Sequence, residues 1–494
     1  MGESANNMPV DIPLEGVRRP RTPGPRRKIV LYNPKSVFFT MPLALLAIGS
    51  HLDPEQYEVV IIDGRLETDP AAAVLAHLDG ALCLGVTVLT GAPIRDAVQI
   101  SRAAKAYRAD LPVVWGGWHP SMFGTECLSE ASVDITVQAQ GEETFREILE
   151  RLEAGQAMEG CRGCTYRDAS GTPVVNPART LENVNSFRPH DYTLLPMERY
   201  FEVKGKRQLD YISSQGCAFR CAFCADPFVY GRKWVGLSPE RMGAEIGALW
   251  ETHRFTDVNF QDETFFTYAD RVEGIADEFI RRELPITWAA TMRADQGARL
   301  SEEALAKCKR SGLRRVIIGV ESGSQAMMDW IKKDIKLEQV FISAERCLRH
   351  GIAVHFPFIV GFPNETDESV MASLDVAKRL RAMSPDFLTP FFYYKPYPGS
   401  SITDQAVKEG FTLPSSLEEW ADFDFVGSVG PWVSADKYRL VERFKYYQRV
   451  AWDGTQKRRK PLQRLARWRC SRDFYAFPVE KTVSEFMRPP QRLS

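Results

Sequence analysis

Leu209 to Cys224 reads LDYISSQGCAFRCAFC. A short apolar run passes straight into a loop that holds Cys217, Cys221 and Cys224 within eight positions. The run opens a series: DVNFQDE, ITWAATM, RRVIIGVE, AVHFPFIVG and DFLTPFFYYKP follow, with helical patterns such as SPERMGAEIGALWETH and SEEALAKCKRSG between them. Six βα repeats predict a partial (β/α)6 barrel over residues 201–405, with its active residues at the strand C-termini. The cysteine loop then lies at the mouth of that barrel.

A second alternation precedes the first. KIVLYNP, YEVVIIDG, ALCLGVTVLTG, LPVVWGG and VDITVQ read as buried strands, and MPLALLAIGSHL, DPAAAVLAHL, APIRDAVQISRAAKAYR and GEETFREILERLEAG as helices between and after them. The fold class is therefore α/β. Residues 28–155 form a doubly wound, Rossmann-like domain whose ligand site is expected beyond the carboxyl ends of its strands. Residues 156–200 lose the period and read as a linker with a small hairpin. Residues 406–494 read as a helical, basic C-terminal extension, a solvated helix pair closing the barrel that also suits contact with an anionic surface. Residues 1–27, rich in Pro, Arg and Gly and without an apolar h-region, read as a disordered tail rather than a secretory signal.

Composition narrows the function classes. At 494 residues the chain is too long for one core. A net charge of −1 excludes a polyelectrolyte binder, so no nucleic-acid partner is expected. No apolar run reaches the length of a membrane span. A cytoplasmic location is expected, with peripheral membrane contact open to the basic C-terminal segment. Ten cysteines in such a chain suggest reduced thiols, a metal site or redox chemistry rather than a disulfide framework.

A spacing of three and then two residues lets three thiolates converge on three irons of a cubane cluster. Zinc competes, but a structural zinc site wants four ligands and no fourth Cys or His stands nearby. Three ligands leave one iron open, which is what catalysis needs. Cys161 and Cys164 form a CxxC without a second pair, and Cys83, Cys127, Cys308 and Cys347 fall in strand or helix patterns and read as core. His355 on the fifth strand reads as a core histidine, with proton handling as the alternative.

Cys217-Ala-Phe-Arg-Cys221-Ala-Phe-Cys224 matches the CxxxCxΦC signature, with Phe223 as the aromatic. In this position the chain resembles the radical S-adenosylmethionine (SAM) enzymes. The resemblance implies a [4Fe-4S] cluster on Cys217, Cys221 and Cys224 whose open iron chelates SAM, and an electron that splits SAM to a 5′-deoxyadenosyl radical. It also implies cofactor contacts along the barrel. Asp262 or Glu263 in NFQDETFF takes the place of a SAM-amine contact. Arg293 in TMRAD suits the SAM carboxylate. Glu321 in GVESGS suits ribose hydroxyls or the amine, and Gly361 in FIVGFPNET lets backbone approach adenine.

The N-terminal domain resembles that of the cobalamin-binding subgroup. TVLTG and VVWGGWHPS look like the elements that line the nucleotide tail of cobalamin, which singles out Thr87, Leu89, Thr90, Gly116, Gly117 and His119. The histidine motif that ligates cobalt from below is missing; YNPKSVFF stands there, which implies cobalamin without that ligand and also admits loss of the cofactor. The resemblance implies C-methylation of an unactivated carbon through methylcobalamin, or cyclisation as in anaerobic porphyrin-ring cyclases and hopanoid-linked relatives. The implied partners are a small-molecule substrate, with apolar, ring-shaped or lipid-linked ones suggested by Phe391 to Tyr394, and an electron donor such as flavodoxin or ferredoxin. A corrinoid-binding sensor or carrier without chemistry is the alternative from another class; a methylthiotransferase-like RNA modifier lacks its second cysteine set.

Overall fold

The computed structural model describes residues 26–423, 430–452 and 460–486. The expected disordered tail, residues 1–27, lies outside these except for Arg26 and Arg27, and Arg27 opens the first strand. In the first domain, strands β1 (Arg27–Asn33), β2 (Tyr57–Asp63), β3 (Ala81–Thr87), β4 (Val113–Gly116) and β5 (Ile135–Val137) pair in parallel in the order 2-1-3-4-5. Helices Leu43–His51, Pro70–Leu75, Pro93–Tyr107 and Glu142–Ala154 cover the two faces. Asp69 caps the second of these by accepting from the Ala72 amide, and a proline at its first position needs no donor. The expected hairpin, β6 (Cys164–Arg167) and β7 (Pro173–Val175), does not hang in a linker. It joins the first sheet antiparallel to β5, so that sheet extends past residue 155.

The barrel sheet is parallel throughout, in the order β16-β14-β13-β12-β11-β8: β8 (Gln208–Tyr211), β11 (Asp257–Phe260), β12 (Thr287–Met292), β13 (Leu313–Ile318), β14 (Ala353–His355) and β16 (Phe387–Leu388). The fifth and sixth strands resume as β15 (Phe358–Val360) and β17 (Phe391–Tyr393), which pair with each other. Each is interrupted at a proline, Pro357 and Pro390, whose missing N–H breaks the ladder. Beyond β8, the short β9 (Ser214–Gly216) and β10 (Trp234–Gly236) form a ribbon that brackets the cysteine loop. Val258, Trp288, Val316 and Val354 are buried on the outer face of the sheet in the barrel's core.

The two domains dock through apolar contacts, with Met41 and Leu46 buried in the barrel's core cluster, and through polar ones. Gln140 donates to Gln215 (2.7 Å), and Gln215 donates in turn to the buried Glu142 (2.8 Å). Tyr200 donates to Asp63 (2.7 Å), and the Met41 amide to Asp210 (2.8 Å).

The C-terminal extension does more than close the barrel. Helices Ala435–Ala451 and Lys460–Ser471 pack against the barrel core, as expected of a closing pair. The short helix Leu417–Asp422 instead crosses to the first domain. There Trp420, 2 % exposed, packs its ring 4.6 Å from that of Phe123, and Asp422 pairs with Arg95 at 2.6 Å.

Candidate active site

The cysteine loop is held from below by its backbone. The Ala222 amide donates to Ile331 O (2.8 Å), and Ala222 O accepts from the Ile402 amide (3.1 Å). The chain on either side of Ala222 is thus pinned, while Cys217, Cys221 and Cys224 stay half-buried at the mouth. Burial pushes the Cys217 thiol up to about 11 and the Cys224 thiol up as well, so free thiolates are disfavoured until a cation balances them. No three of His, Cys, Asp or Glu converge on one ion-sized point among the described residues. A cubane differs in holding each thiolate on its own iron.

Two cations flank the loop. The Arg293 guanidinium lies 3.8 Å over the Phe219 ring, with Nη1 3.8 Å from Cys221 Sγ. Its other donors go to Asp295 (2.9 Å) and Lys333 O (2.7 Å), which ties it to the loop rather than leaving a free fork for a carboxylate. Lys333 pairs with Glu321 at 2.8 Å, both side chains nearly buried, and Glu321 holds a left-handed φ of 65°. Lys333, in WIKKDIKLEQ, is a site residue that sequence reading missed. Its only local signal is backbone: both neighbours, Lys332 and Asp334, also carry positive φ and turn the chain back to the mouth.

The acidic pair in NFQDETFF resolves into two roles. Asp262 is buried and saturated, accepting from the Ser213 amide (3.1 Å), Ser213 Oγ (2.7 Å) and Ser214 Oγ (2.5 Å). It therefore secures the start of the cysteine loop and is not a free ligand, which corrects its place among the cofactor contacts. Glu263 faces the mouth, and its Oε2 is buried without a partner among the described residues. Burial, reinforced by Asp226, pushes its carboxyl well above the usual range. Asp226, two residues past Cys224, presents a second orphaned oxygen, Oδ1. Two unpaired carboxylate oxygens beside three thiols suit the ammonium of a chelated amino acid, so these residues fit the cluster and SAM together.

Phe223 packs 6.0 Å edge-on to Phe362, bringing the loop's aromatic next to Gly361. Gly361 has φ +83°, and a Cβ there would run into Val433. The chain itself demands a glycine at this point.

A cleft of about 330 Å³ opens between the carboxyl ends of the first sheet and the barrel mouth. Thr87, Leu89, Gly116 and Gly117 line it from the first domain, Tyr230 and Glu263 from the barrel. At Gly117, φ +98°, a Cβ would come 2.9 Å from the Val88 backbone, so the chain needs glycine there. At Gly116 a Cβ would meet only Val137, at 3.8 Å, and otherwise open space. A glycine-floored, largely apolar cradle with the exposed Leu89 on its wall fits a large planar group. Among the described residues no histidine lines it. His119 does not reach it: it is fully buried among Thr90 (Oγ1 to Nδ1, 3.2 Å), Phe123 and Trp420, and burial lowers its pKa to about 3. Thr90 is likewise outside the cleft lining, engaged with that histidine. Both leave the set of cofactor contacts, because the C-terminal helix has sealed the side of the sheet they face. A leucine at Gly116 would project into the cradle. Gly116→Leu protein is expected to bind cobalamin about tenfold more weakly or worse, the loss of about 1.4 kcal/mol, with iron content unchanged; corrin absorbance and iron assay of the same preparation check this.

The fold and site define a two-domain α/β enzyme with a thiol trio at a barrel mouth and a cofactor cleft facing it. The family model for the Radical SAM superfamily matches residues 211–377, and that for the B12 binding domain matches residues 29–149. The chain therefore carries a B12-binding domain before a radical SAM domain, and takes a [4Fe-4S] cluster, SAM and cobalamin as cofactors. It is 28% identical to an uncharacterized methyltransferase of Pyrococcus horikoshii over 81% of this chain and 86% of the relative. It is 27% identical to the anaerobic magnesium-protoporphyrin IX monomethyl ester cyclase of Rubrivivax gelatinosus, over 73% of this chain and 64% of the relative. In fold it is similar to the radical SAM methyltransferase TsrM from Kitasatospora setae, with TM-score 0.70 and 16% identity over 90% of this chain and 100% of that one. It spans 56% of the matched chain of the cobalamin-dependent radical SAM enzyme OxsB, with TM-score 0.64 and 21% identity over 78% of this chain. Among the described residues no helix is long and apolar enough to cross a membrane.

Proposed function

We propose that this enzyme methylates an unactivated carbon of a small molecule. The observation that carries the reading is a shared rim: Gln261, Glu263 and Tyr230 belong to the cleft facing the first domain and, at the same time, to the mouth that holds the thiol trio. When bound, the cluster supplies the electron that splits SAM, and the corrinoid supplies a methyl group across the cleft. The protein's part is to hold both on facing sides of one space. Cys217, Cys221 and Cys224 hold the cluster, and Glu263 with Asp226 hold the SAM ammonium. Glu321, fixed by Lys333, fits a ribose or amine contact, and Gly361 with Phe223 frame the adenine side. Thr87, Leu89, Gly116 and Gly117 form the cradle. Trp118 meets Tyr230 edge-on at 6.0 Å across the domain seam and lines the same cleft. A reduced flavodoxin or ferredoxin in the cytoplasm fits the electron requirement, and the basic C-terminal helices fit a peripheral contact with an anionic membrane.

The test is anaerobic reconstitution with iron, sulfide and cobalamin, followed by mass spectrometry with methyl-labelled SAM. 5′-Deoxyadenosine together with label on a substrate carbon is the expected result. 5′-Deoxyadenosine with an unlabelled, dehydrogenated or ring-closed product would move the assignment to cyclisation. Bound corrin with no SAM cleavage would leave only a carrier.

A further inference from the structure

The register of the barrel strands sorts their side chains into two faces. Val258, Trp288, Ala290, Val316 and Val354 point outward into the core. The alternate positions therefore face the lumen. Thr291 pairs with Ile317, Ile317 with His355, and His355 with Leu388, which sets one inward layer across four strands. Ile317 is 38% exposed although its strand is central, and Leu388 is 42% exposed, so this lumen is open.

One layer deeper stands Arg315, beside Ala289 and Ala353. Its Nε is buried and unpartnered, and among the described residues no hydrogen bond or ion pair engages its guanidinium. Nearby acids are taken. Asp257 is bound by Arg314 at 2.5 and 2.7 Å and by Thr287 at 2.8 Å, and Asp210 pairs with Lys204 at 2.5 Å. His355 lies one layer above; burial, with Arg315 and Arg314 adding to it, lowers its pKa to about 4, so its ring is neutral. The wall beyond is divided: Ile317 and Leu388 are apolar, whereas Asn259, Gln261 and Thr291 carry amides and a hydroxyl.

We propose that the lumen takes a substrate with an oxyanionic head, a carboxylate or phosphate, on an apolar body. The head docks on Arg315 with His355 beside it, and the body lies along Ile317 and Leu388 toward the cysteine loop. A half-buried guanidinium whose one near acid, Asp257, is held by Arg314 remains poorly compensated, and a planar fork with free donors matches an oxyanion bidentately. From Arg315 to the end of β13 at Ile318 is three residues, roughly 10 Å at a strand's rise. A body of that length brings a carbon to the mouth. This inference rests on the barrel mouth being the place of chemistry, as proposed above.

Calorimetric titration of the anaerobic holoenzyme with octyl phosphate, octanoate and octanol tests it. Either anion is expected to bind and octanol to bind at least about tenfold more weakly; the stronger anion identifies the head. Arg315→Gln is expected to weaken the anion by about tenfold or more, and Ile317→Glu, which seats a carboxylate above Arg315, to abolish it. Ile317 is exposed enough to accept that change if Arg315→Gln does not fold. No anion binding by the wild type, equal affinity for octanol, or undiminished anion affinity in both variants overturns the inference. 5′-Deoxyadenosine formation by the wild type is read separately. Cleavage without anion binding sinks only this inference, and anion binding without cleavage sinks only the function proposed above.

Discussion

Cys221→Ala protein, reconstituted anaerobically with iron and sulfide, loses its iron–sulfur absorbance and forms 5′-deoxyadenosine at least about a thousandfold more slowly than wild type, because members of a catalytic unit fail together. The three thiols act as one unit, and Cys221 is its central member, with Arg293 3.8 Å from its sulfur. Folding is expected to survive. The loop is pinned through the backbone of Ala222, not through any cysteine side chain, and Cys221 is only half-buried. Circular dichroism and thermal melting of the variant should therefore overlay the wild type while iron content falls. Retained iron with undiminished SAM cleavage would falsify the assignment of the cluster to this loop.

The second large effect falls on Lys333. Its ammonium, 2.8 Å from Glu321, is the partner of a carboxylate with only 9% of its side chain exposed. Burial opposes its charge, and Glu321 with the Cys221 sulfur more than restores it, leaving the Lys333 pKa raised. In Lys333→Met the Glu321 charge is stranded, at a cost of about 3–5 kcal/mol. Glu321 also stands in a left-handed backbone conformation that its surroundings must enforce. Denaturant unfolding of the barrel should shift by that amount, and SAM cleavage should fall as the site loosens. The double variant Lys333→Met/Glu321→Gln removes both charges and should recover most of the stability. It should recover little of the cleavage if Glu321 contacts SAM. A double variant no more stable than the single one would mean that the lysine acts through packing alone.

Part of the candidate site was legible because the three cysteines are close in sequence and the βα period puts their loop at a strand end. Phe223, Glu263, Arg293, Glu321 and Gly361 were singled out by the resemblance of their motifs to the radical SAM enzymes, and the period adds that they stand at or near strand ends. Thr87, Leu89, Gly116 and Gly117 were likewise singled out by resemblance, and they lie at or just past the carboxyl ends of β3 and β4, where the cleft is. Adjacent Asp262 and Glu263 could not be separated, since the serines that saturate Asp262 stand 48 and 49 residues away. Lys333 and Arg315 were not legible at all. Whether a cation is free or paired depends on which carboxylates lie across the barrel, and a β-bulge in the β12–β13 register helps to decide which of Arg314 and Arg315 meets Asp257.

By itself the sequence determined the local chemistry and the order of the layers. Apolar β-branched runs alternating with helical patterns point to parallel strands under helices, and three thiols at this spacing suit a cubane cluster. Tertiary structure decided which polar atoms were left unsatisfied. The helix Leu417–Asp422 returns across the first domain and buries His119 under Trp420, turning a residue next to the Gly-Gly turn into core. Among the described residues the same folding leaves Glu263 Oε2, Asp226 Oδ1 and Arg315 Nε without hydrogen-bond partners. Burial and pairing depend on segments far apart in the chain, and that is why motif spacing could not foresee them.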